Sequence, residues 1–201
     1  MPVRNNIRVE VPKVGYGAVE TSQAGVPYFV LTSGILLEAF RYLIKENPVG
    51  AHPPMHIPGT RLERFIGLAG SSEKNVSTID TLLFPVMDEQ TTVVVHVDSN
   101  DYLELKLGLE KEHRGLHGSA HNHNSVHGYH LNPTPPDIEH HETLERGYGA
   151  QLTVIASEDG QFGFWRPSAY EVIVDGQRLP FLVGPNLISN IKHYQLKSSQ
   201  K

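Results

Sequence analysis

Apolar positions along this chain recur with two different periods. Within 33–46, Leu36, Phe40 and Leu43 fall three or four apart, the spacing that lines one face of a helix. Ser33 stands where an N-cap is expected, and Asn47-Pro48 closes the run. The Pro-, Gly- and His-rich stretch over 47–60 predicts a loop. Strands are predicted over 62–69, ending at Gly70, and over 76–86 and 91–97, the last dense enough in valine to read as buried. The segment 99–113 carries both signals. Leu103, Leu105, Leu107 and Leu109 alternate as in a strand, while the Glu, Lys and Leu content and a capping Ser99 favour a helix, which is the reading adopted.

A strand is expected over 115–123. A helix then starts at Thr134-Pro135-Pro136-Asp137, with Thr at the N-cap, Pro at N1 and an acid at N3, and runs to about 147. Residues 152–156 and 162–165 read as a hairpin around Glu158-Asp159-Gly160. A strand over 170–174 leads into the turn Asp175-Gly176, and a short helix is expected beyond Pro185. Residues 1–30 read as irregular chain or short strands, since Ile7, Val9 and Val11 alternate with polar neighbours. The sum is an α/β arrangement of layers with a central mixed sheet.

Length and composition narrow this picture. The chain has 201 residues, 39% of them apolar, which suits one domain with appended segments. The net charge is −5 with the two signs interspersed, so no basic stripe marks nucleic acid as a partner. No apolar run is long enough to span a membrane, and the N-terminus has no signal-peptide stretch, so a cytoplasmic protein is expected. The absence of cysteine excludes disulfides, thiol nucleophiles and Cys-based zinc sites. Histidine changes the picture most. Of 12 in the chain, eight fall within 113–141, and imidazole is the commonest metal ligand.

His121-Asn122-His123 stands at the end of a predicted strand, where residues i and i+2 share a face and two imidazoles can reach one ion. Asp137, in the first turn of the next helix, is the candidate third ligand, which leaves a fourth position for water. Taken singly, each residue has a plainer reading. An HxH pair can be solvated loop, Thr134 and Asp137 can be no more than a helix cap, and Glu63 can be an exposed strand residue. The remaining histidines are read as peripheral: His127 and His130 as solvent or groove, His140 and His141 as helix surface, His96 as core. His113 and His117 are separated by Gly115, which argues against a helical metal pair.

Together these residues resemble the JAB/MPN (JAMM) metallopeptidase family, in its prokaryotic type. His121-Asn122-His123 followed by Thr134-Pro135-Pro136-Asp137 is similar to that family's His-X-His, spacer, Ser-X-X-Asp signature. Leu62-Glu63 through Gly70 resembles its glutamate-bearing strand with a closing glycine. The chain departs from the pattern in a ten-residue spacer from His123 to Thr134, in Asn124 where proline is common, and in Thr for Ser at 134.

The resemblance implies a three-layer JAB/MPN (cytidine-deaminase-like) fold over 31–175, with extensions over 1–30 and 176–201. It implies one zinc per chain on His121, His123 and Asp137. Glu63 would carry the proton and Thr134 would help hold the oxyanion. The reaction implied is hydrolysis of a peptide or isopeptide bond at the C-terminal tail of a ubiquitin-like or sulfur-carrier-like protein. That tail would be held by strand addition, with 47–60 as a lid. The competing reading is a non-catalytic MPN-type scaffold, but scaffolds of that kind lack the ligands present here. A cupin would place an acid shortly after the second histidine, a nucleoside deaminase needs cysteines, and no HExxH motif is present.

Overall fold

A computed structural model describes residues 7–10, 25–46, 61–90, 95–123, 131–181 and 190–197. The chain order is β1 (Ile7–Glu10), β2 (Tyr28–Leu31), α1 (Ser33–Phe40), β3 (Phe65–Glu73), β4 (Val76–Phe84), β5 (Met87–Gln90), β6 (Val95–Val97), α2 (Ser99–Lys111) and β7 (Gly115–Asn122). Then follow α3 (Pro135–Tyr148), β8 (Leu152–Ala156), β9 (Gln161–Trp165), β10 (Glu171–Val174), β11 (Gln177–Arg178) and β12 (Ile191–Gln195). A π-helical turn, Arg41–Lys45, extends α1.

The expected mixed α/β architecture is present. Among the described residues, ten strands form one sheet in the order β11-β10-β2-β4-β3-β7-β8-β9-β12, with β1 beside the second half of β4. The pairs β10–β2, β2–β4 and β7–β8 are parallel, and the others are antiparallel. Adjacent residues sort the two faces. Leu68 and Leu82 join the large core beneath α1, while their neighbours Ala69 and Leu83 join Leu109 of α2 and Leu144 of α3 in a second cluster. Helices therefore cover both faces.

α3 is the crossover between the parallel neighbours β7 and β8. A crossover helix begins where its first strand ends. That connection sets the N-terminus of α3 beside the C-terminal end of β7, the end of an α/β sheet where ligands bind.

Several local expectations change. Thr32, not Ser33, caps α1: its hydroxyl accepts from the Ile35 amide at 3.0 Å. Asp98, not Ser99, caps α2, accepting from the Asn100 and Asp101 amides at 2.9 and 3.0 Å. A carboxylate there faces the positive end of the helix, which favours it. The helical reading of 99–113 is correct, and Leu103 and Leu107 of that alternating series are the exposed members.

The described part of the valine-rich stretch is not a buried strand of the main sheet. That part, β6, pairs with β5 in a separate two-stranded hairpin, and Val95 and Val97 are half-buried. The hairpin base is tied to α2, where Asp101 accepts from the Val86 amide at 2.7 Å. Near the C-terminus, 191–195 forms β12 against β9. The loop 47–60 and residues 182–189, which include Pro185, lie outside the described residues, as do His127 and His130 and the side chain of His96.

Candidate metal centre

The centre follows from one register. In the antiparallel pair β3–β7, Phe65 lies opposite His121. Alternation turns Phe65 and His121 to one face, and Glu63, two residues before Phe65 and just outside β3, lines the same cavity as both. This is the face that α3 crosses with Asp137.

Two imidazole nitrogens and the two oxygens of one carboxylate converge there. His121 Nε2 and His123 Nε2 are 2.9 Å apart. Asp137 Oδ1 is 3.1 Å from His121 Nε2, and Asp137 Oδ2 is 3.3 Å from His123 Nε2. Among the described residues these are the three that form a possible metal-ligand group. The donor set fits a cation. Two imidazole nitrogens and a carboxylate meet in one small volume, and these are donor types that hold a divalent ion. A tetrahedral ion with ligand bonds of about 2.0–2.1 Å separates its ligand atoms by roughly 3.3 Å, close to the spacings present. Asp137 is aimed by its own helix cap: the Thr134 amide and hydroxyl both donate to Oδ2, at 2.6 and 2.7 Å. The Thr134 hydroxyl is thereby engaged with the Asp137 carboxylate.

The group opens on a cavity of about 370 Å³. Phe65, Val95, Val97, Tyr102 and Pro136 supply apolar wall, and Ser99, Ser119, Thr153 and His140 supply polar groups. Glu63 lines the same cavity. Burial pushes its carboxyl up to about 7; the positive charge of His123 opposes this and Asp137 adds to it. Burial would also raise Asp137, but the two imidazoles beside it win and hold its carboxyl far below the ordinary carboxylate range. A carboxyl that gains and loses a proton near neutrality therefore stands beside one that stays ionised. That is the environment-driven division of roles expected of acid–base chemistry.

All five residues singled out in the sequence, Glu63, His121, His123, Thr134 and Asp137, are brought together at this cavity or its rim. Others were missed or misread. His141 is not on the surface. It is 0% exposed, and its Nδ1 lies 2.8 Å from Thr153 Oγ1. Its position four residues after Asp137, on the same helical face, was the available signal. His140 keeps solvent access but lines the cavity, edge-on to Phe65 at 5.5 Å. Ser119 was legible by alternation from His121, whereas Tyr102 and Thr153 arrive from elements that no local pattern connects to this one. His113 lies just beyond α2 with φ of +56°, and His117 is separately buried, so the two form no pair.

No protein-family model matches this chain, and no curated protein matches it. Among solved structures, the solution structure of protein DSY2949 from Desulfitobacterium hafniense is similar at 12% identity and a TM-score of 0.49. The likeness covers 74% of this chain and 94% of that one.

Proposed function

We propose that this chain is a zinc-dependent peptidase of the JAB/MPN type, with that family's three-layer fold. Its proposed reaction is hydrolysis of a peptide or isopeptide bond at the C-terminal tail of a ubiquitin-like or sulfur-carrier-like protein. The observation that carries the reading is the convergence of His121, His123 and Asp137 within 3.3 Å of one another, with Glu63 in the same cavity. His121, His123 and Asp137 would hold the ion. Zinc bound there supplies a Lewis acid that polarises a carbonyl and acidifies water.

The chain's own residues do the rest. Glu63, in the same cavity as the ligands, accepts the proton of the attacking water and delivers it to the leaving nitrogen. Thr134 holds Asp137 in place through its hydroxyl and amide. The apolar walls keep bulk water from the reacting carbonyl, which strengthens every charge interaction inside. Val95 and Val97 belong to a two-stranded hairpin at the cavity wall, and such a hairpin suits an extended tail held by strand addition.

Zinc-loaded protein incubated with a ubiquitin-like protein bearing a peptide after its C-terminal tail is expected to release that peptide. Glu63→Gln is expected to retain zinc and to lose turnover by about 100- to 10,000-fold. A fusion left intact by zinc-loaded wild type would refute the substrate assignment. Unchanged turnover in Glu63→Gln would refute the role of Glu63.

A further inference from the structure

Glu63 precedes the first residue of β3, so the regular ladder of that strand does not reach it. Residues 61–64 lie outside any strand. The imidazoles that Glu63 must face belong to β7, on the other side of that gap.

We propose that Asn122, the residue between the two histidines, is the positioning residue for Glu63, a role that rests on the reading of Glu63 as the proton carrier. The Asn122 carboxamide takes the place of the ladder on both sides of the glutamate. Its Oδ1 accepts from the Arg64 amide at 2.9 Å, and its Nδ2 donates to the Leu62 carbonyl at 3.0 Å. Glu63 is the residue between those two. Asn122 is 1% exposed, so water cannot stand in for either bond without opening the site. A carboxamide presents a donor and an acceptor side by side, as a backbone peptide does. A carboxylate offers no donor, and a hydroxyl is too short to reach both partners.

The flanking residues are tethered further out. The Arg64 guanidinium donates to the Tyr42 and Glu46 carbonyls at 2.8 and 3.3 Å and lies 4.8 Å from the centre of the Tyr42 ring. The π-helical turn over Arg41–Lys45 leads directly into those carbonyls. Arg61 pairs with Glu158 in the β8–β9 turn at 3.2 Å. These tethers locate the segment. Asn122 ties it to the strand that bears the ligands, where Asn122 itself pairs with Ala156. A three-residue stretch at the end of β7 thus sets the direction of the two imidazoles and of the glutamate together. A sub-ångström error at a reacting group is costly, which gives this coupling its functional weight.

The experiment compares zinc-loaded full-length wild type, Asn122→Ala and Asn122→Asp in three measurements: zinc content, hydrogen exchange at the Arg64 amide, and steady-state cleavage of the ubiquitin-like fusion. Asn122→Ala is expected to keep its zinc, to lose at least about 10-fold in Arg64 protection, and to drop kcat about 100-fold. Its KM is expected to stay within about three-fold of wild type. Asn122→Asp keeps the acceptor for the Arg64 amide, so protection and part of kcat return. If the alanine variant does not fold, the near-isosteric Asp variant decides: kcat falls with KM and zinc unchanged.

Unchanged Arg64 protection in Asn122→Ala overturns the proposal. So does full kcat after protection is lost, or an effect confined to KM. A wild type that leaves the fusion intact overturns the proposed substrate by itself. Crystal structures of the zinc-loaded wild type and Asn122→Ala then decide the positioning role, which fails if the Glu63 carboxylate has not moved.

Discussion

Glu63 is a carboxyl held out of water beside a second carboxyl, and its ionisation is therefore a strain on the metal-free fold. Its ordinary value is 4.5, and the folded protein raises it to about 7. A group whose folded pKa is raised contributes its full stability below its unfolded pKa and loses it as pH rises through the folded value. Metal-free wild type is expected to weaken relative to Glu63→Gln between about pH 4.5 and 7, by on the order of 2 kcal/mol. Urea unfolding of both proteins at about pH 4 and pH 8 measures this. A stability difference that does not change with pH would contradict the account of this residue. Asp137 bears the opposite sign: the imidazoles depress its pKa, so its contribution is present above its unfolded value and is lost in acid.

At the scale of elements, the strands that build the site meet closely. A Cβ on Gly118 of β7 would overlap the Leu152 carbonyl of β8, and one on Gly70 of β3 would overlap the Thr78 carbonyl of β4. Backbone cannot yield as a side-chain tip can. Gly118→Ala is therefore expected to destabilise the fold by about 3 kcal/mol or more. Gly108, on α2, faces open space: a Cβ there would meet nothing within 4 Å. Gly108→Ala is accordingly expected to stabilise by roughly 0.5–1 kcal/mol. Thermal unfolding of the two variants gives opposite shifts if this is right.

Elements of this kind were legible where the signal is local. The HxH pair ends a strand, and the Thr134-Pro135-Pro136-Asp137 cap starts a helix, because alternation and capping act over a few residues. The caps of α1 and α2 each moved by one residue, since Thr32 and Asp98 compete with an equally suitable neighbour. β12 carries no strand signal in the local pattern because its pairing with β9 is a tertiary contact. Tyr102, Thr153 and the bonds of Asn122 were hidden for the same reason: each depends on residues far away in sequence.

At the scale of the whole molecule, the sheet curls until β12 returns to β10. Lys192, 3% exposed at its side chain, pairs with Glu171 at 3.1 Å and donates to the Leu179 carbonyl at 3.3 Å. Removing the anion leaves a buried ammonium short of a partner, so Glu171→Ala is expected to cost about 3 kcal/mol. Lys192→Met removes the buried charge itself and is expected to cost much less. Thermal unfolding of both variants ranks them, and the reverse order would contradict this account of the closure. The same closure holds β8, and through it β7, in the register that brings His121 and His123 to the start of α3.

Elemental analysis of wild type and of a His121→Ala/His123→Ala double variant decides whether His121, His123 and Asp137 hold one metal ion. About one zinc per wild-type chain is expected, and none in the folded double variant. A wild type that takes up no zinc on reloading, or a double variant that keeps it, would contradict that ligand set.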